Sequence, residues 1–124
     1  MATQHYPVVW FEIPVNDLPR AQAFYEQVFG RDLQLQEMGP LQMAFFPMQE
    51  EDSGAGGALV KAEGYVPSQT GTVVYFSVAD INETLERVKA GGGKVLSPKT
   101  SIGEYGFIAH CQDTEGNRIA LHSM

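Results

Sequence analysis

The sequence predicts an α+β fold in which two βαβββ modules follow one another within a single domain of 124 residues. The chain repeats itself at an offset of 63, so that VVWFEIPVNDL at 8–18 corresponds to GTVVYFSVADI at 71–81. At that offset Asp17 corresponds to Asp80. In both copies a strand pattern precedes an acidic helix start, an amphipathic helix, a glycine stop and further strands. The offset is close to half the chain length, which indicates two copies of one unit.

The first module covers about residues 7–63. A strand comes first, and Asn16 or Asp17 then caps a helix whose first turn holds Pro19. Gly30 ends that helix, because glycine readily takes the left-handed conformation of a helix C-terminus. We predict strands at about 7–14, 32–38, 41–48 and 57–62, a Gly39-Pro40 turn, and a flexible acidic loop, QEEDSGAGG, at 49–57.

The second module covers about residues 71–123, after a linker at 64–71. Asp80 starts its helix near 80–91, and the three glycines at 91–93 end it. Since these glycines follow a helix rather than precede one, they are not typical of a phosphate-binding loop. We predict strands at 72–78 and 94–97, a loop SPKTSIGEYG, and a hairpin of 106–112 and 117–123 in which Asp113, Glu115 and Asn117 are turn residues.

The composition excludes several classes of partner. The net charge is −7 and no basic stretch is present, so nucleic acid and anionic membrane surfaces are poor partners. No apolar run approaches the roughly 20 residues of a membrane span, and residues 1–7 lack the features of a signal peptide. Cys111 is the single cysteine, which rules out an intrachain disulfide. We therefore expect a cytoplasmic protein with a small-molecule or protein partner.

Strand alternation places one almost entirely apolar face under the helices, where it is expected to form the core. Its predicted members are Val9, Phe11, Ile13 and Val15; Val74, Phe76 and Val78; Phe107, Ala109 and Cys111; and Ile119 and Leu121. Cys111 is therefore expected to be a buried, inert thiol rather than a nucleophile paired with its neighbour His110.

The opposite face of the strands mixes aromatic, charged and small side chains. It holds Trp10, Glu12 and Pro14; Val73, Tyr75 and Ser77; Ile108, His110 and Gln112; and Arg118, Ala120 and His122. Such a face suits a concave pocket for a small amphipathic molecule, with a solvated face carrying scattered aromatics as the alternative. Trp10 and Tyr75 could stack on a flat or cationic ligand, or fill the interior. The candidate ligand-binding residues are Trp10, Glu12, Tyr75, Ile108, His110 and His122.

Several roles are open for the titratable candidates. His110, His122 and Glu12 could hold a displaced metal ion or act in acid–base catalysis, whereas hydrogen bonding within a polar pocket requires neither role. Glu12 could also bind a cationic group of a ligand. We slightly favour a simpler interpretation, in which Glu12 pairs with a nearby donor such as Arg118 or Tyr75.

Two segments of the chain resemble a known superfamily. FEIPVNDLPRAQAFYEQVFG and DTEGNRIALHS, set within paired βαβββ modules, resemble the vicinal oxygen chelate superfamily of glyoxalase I, extradiol dioxygenases and bleomycin-resistance proteins. The resemblance covers about residues 7–123 and is nearest to small bacterial glyoxalase-related proteins. It implies eight strands curled into an incomplete barrel with the helices outside, the glyoxalase/bleomycin-resistance fold.

The resemblance also bears on a metal cofactor. In metal-dependent members of the superfamily, four strands each supply a His, Glu or Gln ligand for a divalent ion. Carried over to this chain, the four positions are Trp10, Val60, Val73 and Ala120. None of these side chains can coordinate such an ion. We therefore expect no metal cofactor, and we do not expect glyoxalase I activity by the usual metal mechanism.

The function expected from the resemblance is binding of a small amphipathic molecule, as in the bleomycin-resistance proteins. Because those proteins are dimeric, a homodimer is also implied. The alternative is a lyase or isomerase of the glyoxalase-related class, either metal-free or with a shifted metal site at Glu12, His110 and His122. A third hypothesis is an accessory subunit that keeps the fold without a pocket.

Overall fold

The computed structural model describes residues 7–47 and 54–124. In the first module, one helix packs on one face of a four-stranded sheet. The elements are β1 (Trp10–Pro14), α1 (Leu18–Phe29), β2 (Gln34–Met38), β3 (Leu41–Phe45) and β4 (Gly56–Lys61). The strand order is β1-β4-β3-β2, with β1 parallel to β4 and the other pairs antiparallel. Residues 49–53 of the acidic loop predicted at 49–57 lie outside the described part of the chain.

The second module repeats this arrangement. Its elements are β5 (Val74–Ser77), α2 (Ile81–Ala90), β6 (Lys94–Ser101), a short 3-10 helix (Gly103–Tyr105), β7 (Phe107–Gln112) and β8 (Arg118–Ser123). The strand order is β5-β8-β7-β6, and β5 again runs parallel to β8. The α+β class and the two βαβββ units predicted from the repeat are confirmed. The eight strands form two four-stranded sheets that do not close into a barrel.

Both helices start where short-range signals predict. Asp17 has an extended backbone, and its carboxylate accepts a hydrogen bond from the amide of Arg20 at 3.0 Å. Gly30 then ends α1 in the left-handed region, with a φ of 69°. Asp80 accepts a hydrogen bond from the amide of Glu83 at 3.0 Å and starts α2 in the same way. Of the two caps predicted for α1, Asp17 is the one that the structure uses.

Both sheets and both helices contribute to one apolar core. Its buried members are Ile13, Val15, Leu18, Ala21, Phe24, Tyr25, Val28, Leu33, Ala44, Leu59, Ile81, Leu85, Val88, Ala109, Cys111, Ile119 and Leu121. The prediction that the apolar face of the strands packs under the helices is therefore confirmed for most strands. Val9 is an exception, since it is 78% exposed and lies before the start of β1. No helix in the described part of the chain has the length and apolar character needed to span a membrane.

Strand β6 is longer than predicted. The sequence predicts a strand at 94–97 followed by a loop, but β6 extends to Ser101. Pro98 lies inside it, which a sheet tolerates at an edge strand or a bulge, and β6 is the edge strand of its sheet. The register with β7 also shifts twice between Val95 and Thr100. The prediction is wrong because proline interrupts the ladder locally without ending the strand.

The turn between β7 and β8 joins the two modules. Glu115 accepts hydrogen bonds from the backbone amides of Asn16 and Asp17, both at 2.9 Å. Arg20 on α1 binds the same carboxylate through Nε at 2.7 Å and a terminal nitrogen at 3.0 Å. The Glu115 side chain is fully buried in these contacts. A residue of the second module therefore satisfies amides that precede the helix of the first module.

Asp113 and Asn117 extend this contact between the modules. Asp113 accepts a hydrogen bond from the buried hydroxyl of Tyr25 at 2.6 Å and another from the amide of Glu115 at 2.8 Å. Asn117 donates a hydrogen bond to the backbone carbonyl of Pro14 at 2.8 Å. We call Asp113, Glu115 and Asn117 the turn clamp. Their role as turn residues is confirmed, but the sequence analysis missed their contacts with the first module.

The surroundings of Glu115 keep its carboxyl group charged. Burial alone would raise the pKa of this group. The hydrogen bonds from Arg20 and from the amides of Asp17 and Asn16 outweigh burial and lower the pKa from 4.5 to about 2. Because the carboxyl in the unfolded chain titrates near 4.5, its contribution to stability is fully present above that pH. The contribution is lost as the pH falls toward 2.

We expect Glu115→Gln to lower the free energy of unfolding at pH 7 by about 1–2 kcal/mol, less than the full pKa shift represents, because Arg20 is half-exposed and glutamine keeps one acceptor oxygen. The variant should also lose much of the acid sensitivity that the wild-type protein shows between pH 4.5 and 2. Urea denaturation across this pH range measures both effects. The control is Glu104→Gln, since Glu104 is exposed in the 3-10 helix. Equal stabilities for the two variants would contradict the role of the clamp.

Candidate functional site

The candidate residues of the first module lie on an apolar, aromatic surface. We call the side of each sheet that faces away from the helices its open face. On the first sheet, the open face carries a cluster that includes Trp10, Met43, Phe45, Ala58, Val60 and Tyr65. The Trp10 and Phe45 rings meet edge to face, with their centroids 5.2 Å apart. Trp10 therefore packs against its own sheet and is only partly exposed.

Glu12 connects the aromatic side chains of this face. Its carboxylate accepts one hydrogen bond from the indole of Trp10 at 3.2 Å and another from the hydroxyl of Tyr65 at 3.1 Å. The hydrogen bond to Glu12 raises the pKa of Tyr65. Glu12 therefore pairs with nearby donors, as the sequence analysis favours, but these are Trp10 and Tyr65 rather than the suggested Arg118 or Tyr75. Tyr65 lies in the linker between the modules, where strand alternation carries no signal.

On the second sheet, His110 lies between two polar partners. A terminal nitrogen of Arg118 donates to Nδ1 of His110 at 2.9 Å, and the hydroxyl oxygen of Tyr75 lies 3.1 Å from Nε2. Arginine has no acceptor, so Nδ1 must carry a lone pair rather than a proton. The neutral ring then holds its proton on Nε2 and donates it to Tyr75. We call Tyr75, His110 and Arg118 the polar cluster.

The surroundings of His110 favour the uncharged ring. Burial lowers the pKa of His110, and the positive charge of Arg118 lowers it further. Both effects favour the neutral imidazole that the hydrogen-bond geometry requires. Since an unperturbed histidine titrates near 6.5, the stability that this site contributes is present above that pH and falls as the pH drops below it.

His122 makes a separate contact on the same open face. Its Nε2 donates to the backbone carbonyl of Tyr105 at 2.6 Å. Ile108 is paired with His122 in the register of β7 and β8. The structure thus brings Tyr75 and His110 together, and it places Ile108 of β7 beside His122 of β8. Trp10 and Glu12, the remaining candidates, belong to the other sheet.

The four positions that the resemblance assigns to metal ligands, Trp10, Val60, Val73 and Ala120, offer no donor atom. Val60 and Ala120 are fully buried apolar side chains. Trp10 and Val73 are equally unable to coordinate a divalent ion. In the part of the chain that the structure describes, no three His, Cys, Asp or Glu side chains lie close enough to hold a metal ion together. The residues present therefore do not fit the metal of the metal-dependent members.

Cys111 is fully buried in the core, although its neighbour His110 lies on the open face. Burial raises the pKa of the Cys111 thiol to about 12. The thiol therefore stays protonated near neutral pH, which makes it a poor nucleophile.

A small cavity lies at the seam between the two modules. Its volume is about 130 Å³, which is comparable with the roughly 150 Å³ of an engineered cavity that binds benzene. Glu12 and Arg118 both line it, so the cavity touches one residue that is bonded to Trp10 and Tyr65 and one that is bonded to His110. Five further lining residues lie between the start of the linker and the first residue of β5, namely Val66, Ser68, Thr70, Thr72 and Val74.

A larger concavity of about 360 Å³ lies where β3 begins and β4 ends. It contains none of the six candidate ligand-binding residues. Its polar lining side chains are exposed, and they are Asn16, Gln42, Lys61 and Glu63. Of the six candidate residues, only Glu12 lines the seam cavity, and the other five lie outside its lining.

Known proteins share this architecture. The family model described as the Glyoxalase/Bleomycin resistance protein/Dioxygenase superfamily matches residues 8–121. The chain belongs to this superfamily. The match spans both modules and confirms the resemblance carried by the helix-start and hairpin segments.

One similar protein is a glyoxylase-like domain-containing protein from Didymella fabae. It is 31% identical over 123 residues, which cover 94% of this chain and 93% of that protein. Among solved structures, glyoxalase I from Zea mays matches with a TM-score of 0.70 and 21% identity, over 99% of this chain and 48% of the maize chain. A glyoxalase-related enzyme from Fulvimarina pelagi matches with a TM-score of 0.66 and 18% identity, over 94% of this chain and 87% of that one. These two structures support the fold, and this chain spans about half of the maize enzyme.

We expect Arg118→Gln to raise the pKa of His110 part of the way toward 6.5, because the substitution removes the positive charge that faces Nδ1. An NMR titration of the histidine ring protons measures this change. Lys89→Gln, which removes one positive charge from α2, should leave the pKa of His110 unchanged. An unchanged His110 pKa in Arg118→Gln would show that the contact with Arg118 does not control the ring.

Proposed function

We propose that this protein binds a small amphipathic molecule in the seam cavity, without the metal ion of the metal-dependent superfamily members. One observation carries the proposal. Glu12 and Arg118 line the same cavity, although each belongs to a different sheet and contacts a different cluster. A ligand in the seam can therefore place an apolar part toward the aromatic face and a polar part toward the polar cluster.

The walls of the seam cavity are tied together by hydrogen bonds. Asn117 and Pro14 both line it and are bonded across the seam at 2.8 Å. Ser68 of the linker donates its amide to Asn117 at 3.0 Å and accepts from the amide of Arg118 at 3.3 Å. Walls that are already fixed lose little conformational entropy when a ligand binds, which favours affinity from a small contact area.

We expect a saturable change in tryptophan fluorescence when singly substituted benzenes are titrated into the protein. Trp10 is the single tryptophan, and its partner Glu12 lines the cavity. Thr72→Phe places a ring in the cavity and should abolish the change. Thr100→Phe adds the same ring on the edge strand β6 and should keep it.

Two results of this titration would contradict the proposed binding function. The first is that no compound of the panel alters the fluorescence or the melting temperature of the wild-type protein. The second is that Thr72→Phe and Thr100→Phe bind with the same affinity, which would place the site elsewhere.

The metal-free part of the proposal has its own test. We expect elemental analysis of the purified protein to find far less than one equivalent of Mn, Fe, Co, Ni, Cu or Zn per chain, because the four ligand positions carry no donor. One equivalent of any of these metals, lost in His110→Ala or His122→Ala, would contradict it. His5, which lies outside the described residues, serves as the control in His5→Ala.

A lyase or isomerase of the glyoxalase-related class is the second candidate function. The observation that favours it is the contact between Tyr75 and a neutral His110 on an open face, where Tyr75 is 49% exposed. A tyrosine hydroxyl beside an imidazole can exchange a proton with a carbonyl substrate. Turnover of methylglyoxal with glutathione that disappears in Tyr75→Phe would support this candidate over simple binding.

A further inference from the structure

The charged residues that line the seam cavity are Glu12 and Arg118. They differ in how many of their hydrogen-bonding groups already have a partner within the protein. Each oxygen of Glu12 already accepts a hydrogen bond, one from Trp10 and one from Tyr65. Both donors belong to the aromatic cluster on the first sheet, so both carboxylate oxygens are already hydrogen-bonded within the protein. A cationic ligand group would have to compete with these two donors for Glu12.

Arg118 is in the opposite situation. Its guanidinium has five N–H groups, and one of them donates to Nδ1 of His110. Among the residues that the structure describes, the other four donate no hydrogen bond. The contact with His110 fixes the position of the guanidinium. Arg118 lines the cavity and is half-buried rather than free in solvent.

We propose that the ligand of the seam cavity carries a carboxylate, and that Arg118 binds this group. The proposal rests on the binding function proposed for the same cavity. The planar fork of N–H groups on arginine matches the two oxygens of a carboxylate, and such charge-assisted hydrogen bonds are shorter and stronger than neutral ones. The hydroxyl groups of Ser68, Thr70 and Thr72 line the same cavity and offer further donors.

A single negative charge suits this site better than a phosphate dianion. Arg118 is the one cation that lines the cavity in the described part of the chain, whereas Glu12 lines it as well and opposes additional negative charge. The chain as a whole carries a net charge of −7, so it does not attract anions in general. Preference for a carboxylate must therefore come from the local donors.

Three compounds of nearly the same shape test the proposal: benzoate, benzamide and benzamidinium, with charges of −1, 0 and +1. Each is titrated into ¹⁵N-labelled protein at neutral pH, and the side-chain signals of Arg118 Nε–H and Trp10 Nε1–H are followed by NMR. We expect benzoate to bind about tenfold more tightly than benzamide, because it forms charge-assisted hydrogen bonds. Benzamidinium should bind no better than benzamide.

Two variants locate the preference. Arg118→Gln should weaken benzoate binding about tenfold more than it weakens benzamide binding, so that the preference for benzoate disappears. Lys89→Gln removes the same charge from α2 and should bind all three compounds as the wild-type protein does. If Arg118→Gln does not fold, the order of affinities of the three compounds for the wild-type protein still tests whether the site prefers a carboxylate.

The outcomes separate this proposal from the binding function on which it rests. Equal affinities for the three compounds, or tightest binding of benzamidinium, would overturn the carboxylate proposal and leave the seam cavity as a binding site. No binding of any of the three would overturn both. A benzoate preference that survives in Arg118→Gln would assign the carboxylate to another group and overturn the role of Arg118.

Discussion

The polar contact between the two modules is centred on one buried carboxylate, that of Glu115. Two backbone amides that precede α1 and the guanidinium of Arg20 converge on it from the other module. Without this carboxylate, those donors would be left unpaired in a partly buried place, which costs more free energy than a single hydrogen bond contributes. The same turn bonds Asn117 to Pro14, and Arg118 follows directly at the start of β8. The clamp that stabilises the fold therefore also places the walls of the seam cavity.

The two modules share a topology but differ in chemistry on their open faces. On the first sheet, Glu12 accepts hydrogen bonds from two aromatic side chains, and Met43 and Val60 are buried in the same cluster. On the second sheet, the corresponding surface carries His110 with its partners and remains partly exposed. The two copies of the unit thus provide two different surfaces, an apolar one on the first sheet and a polar one on the second. A cavity at their junction suits an amphipathic ligand better than either face alone.

Features that depend on neighbours in sequence were predicted correctly from the sequence. The cap at Asp17 and the stop at Gly30 need only a few adjacent residues, and the helix-side face of most strands follows from simple alternation. The contacts that define the candidate site were not predicted. Glu12 and Tyr65 are 53 residues apart, and Glu115 contacts an amide 98 residues away. Such pairs depend on how the modules are placed against each other, which strand periodicity does not encode.

A crystal structure of the protein grown with benzoate tests the central claim most directly, because it shows both the site and the contact. The account predicts a benzoate molecule in the seam cavity. Its carboxylate oxygens should lie about 2.7–2.9 Å from the guanidinium of Arg118, and its ring should face the side of Glu12 and Trp10. Benzoate bound elsewhere, or a seam filled by the chain's own side chains, would contradict the account.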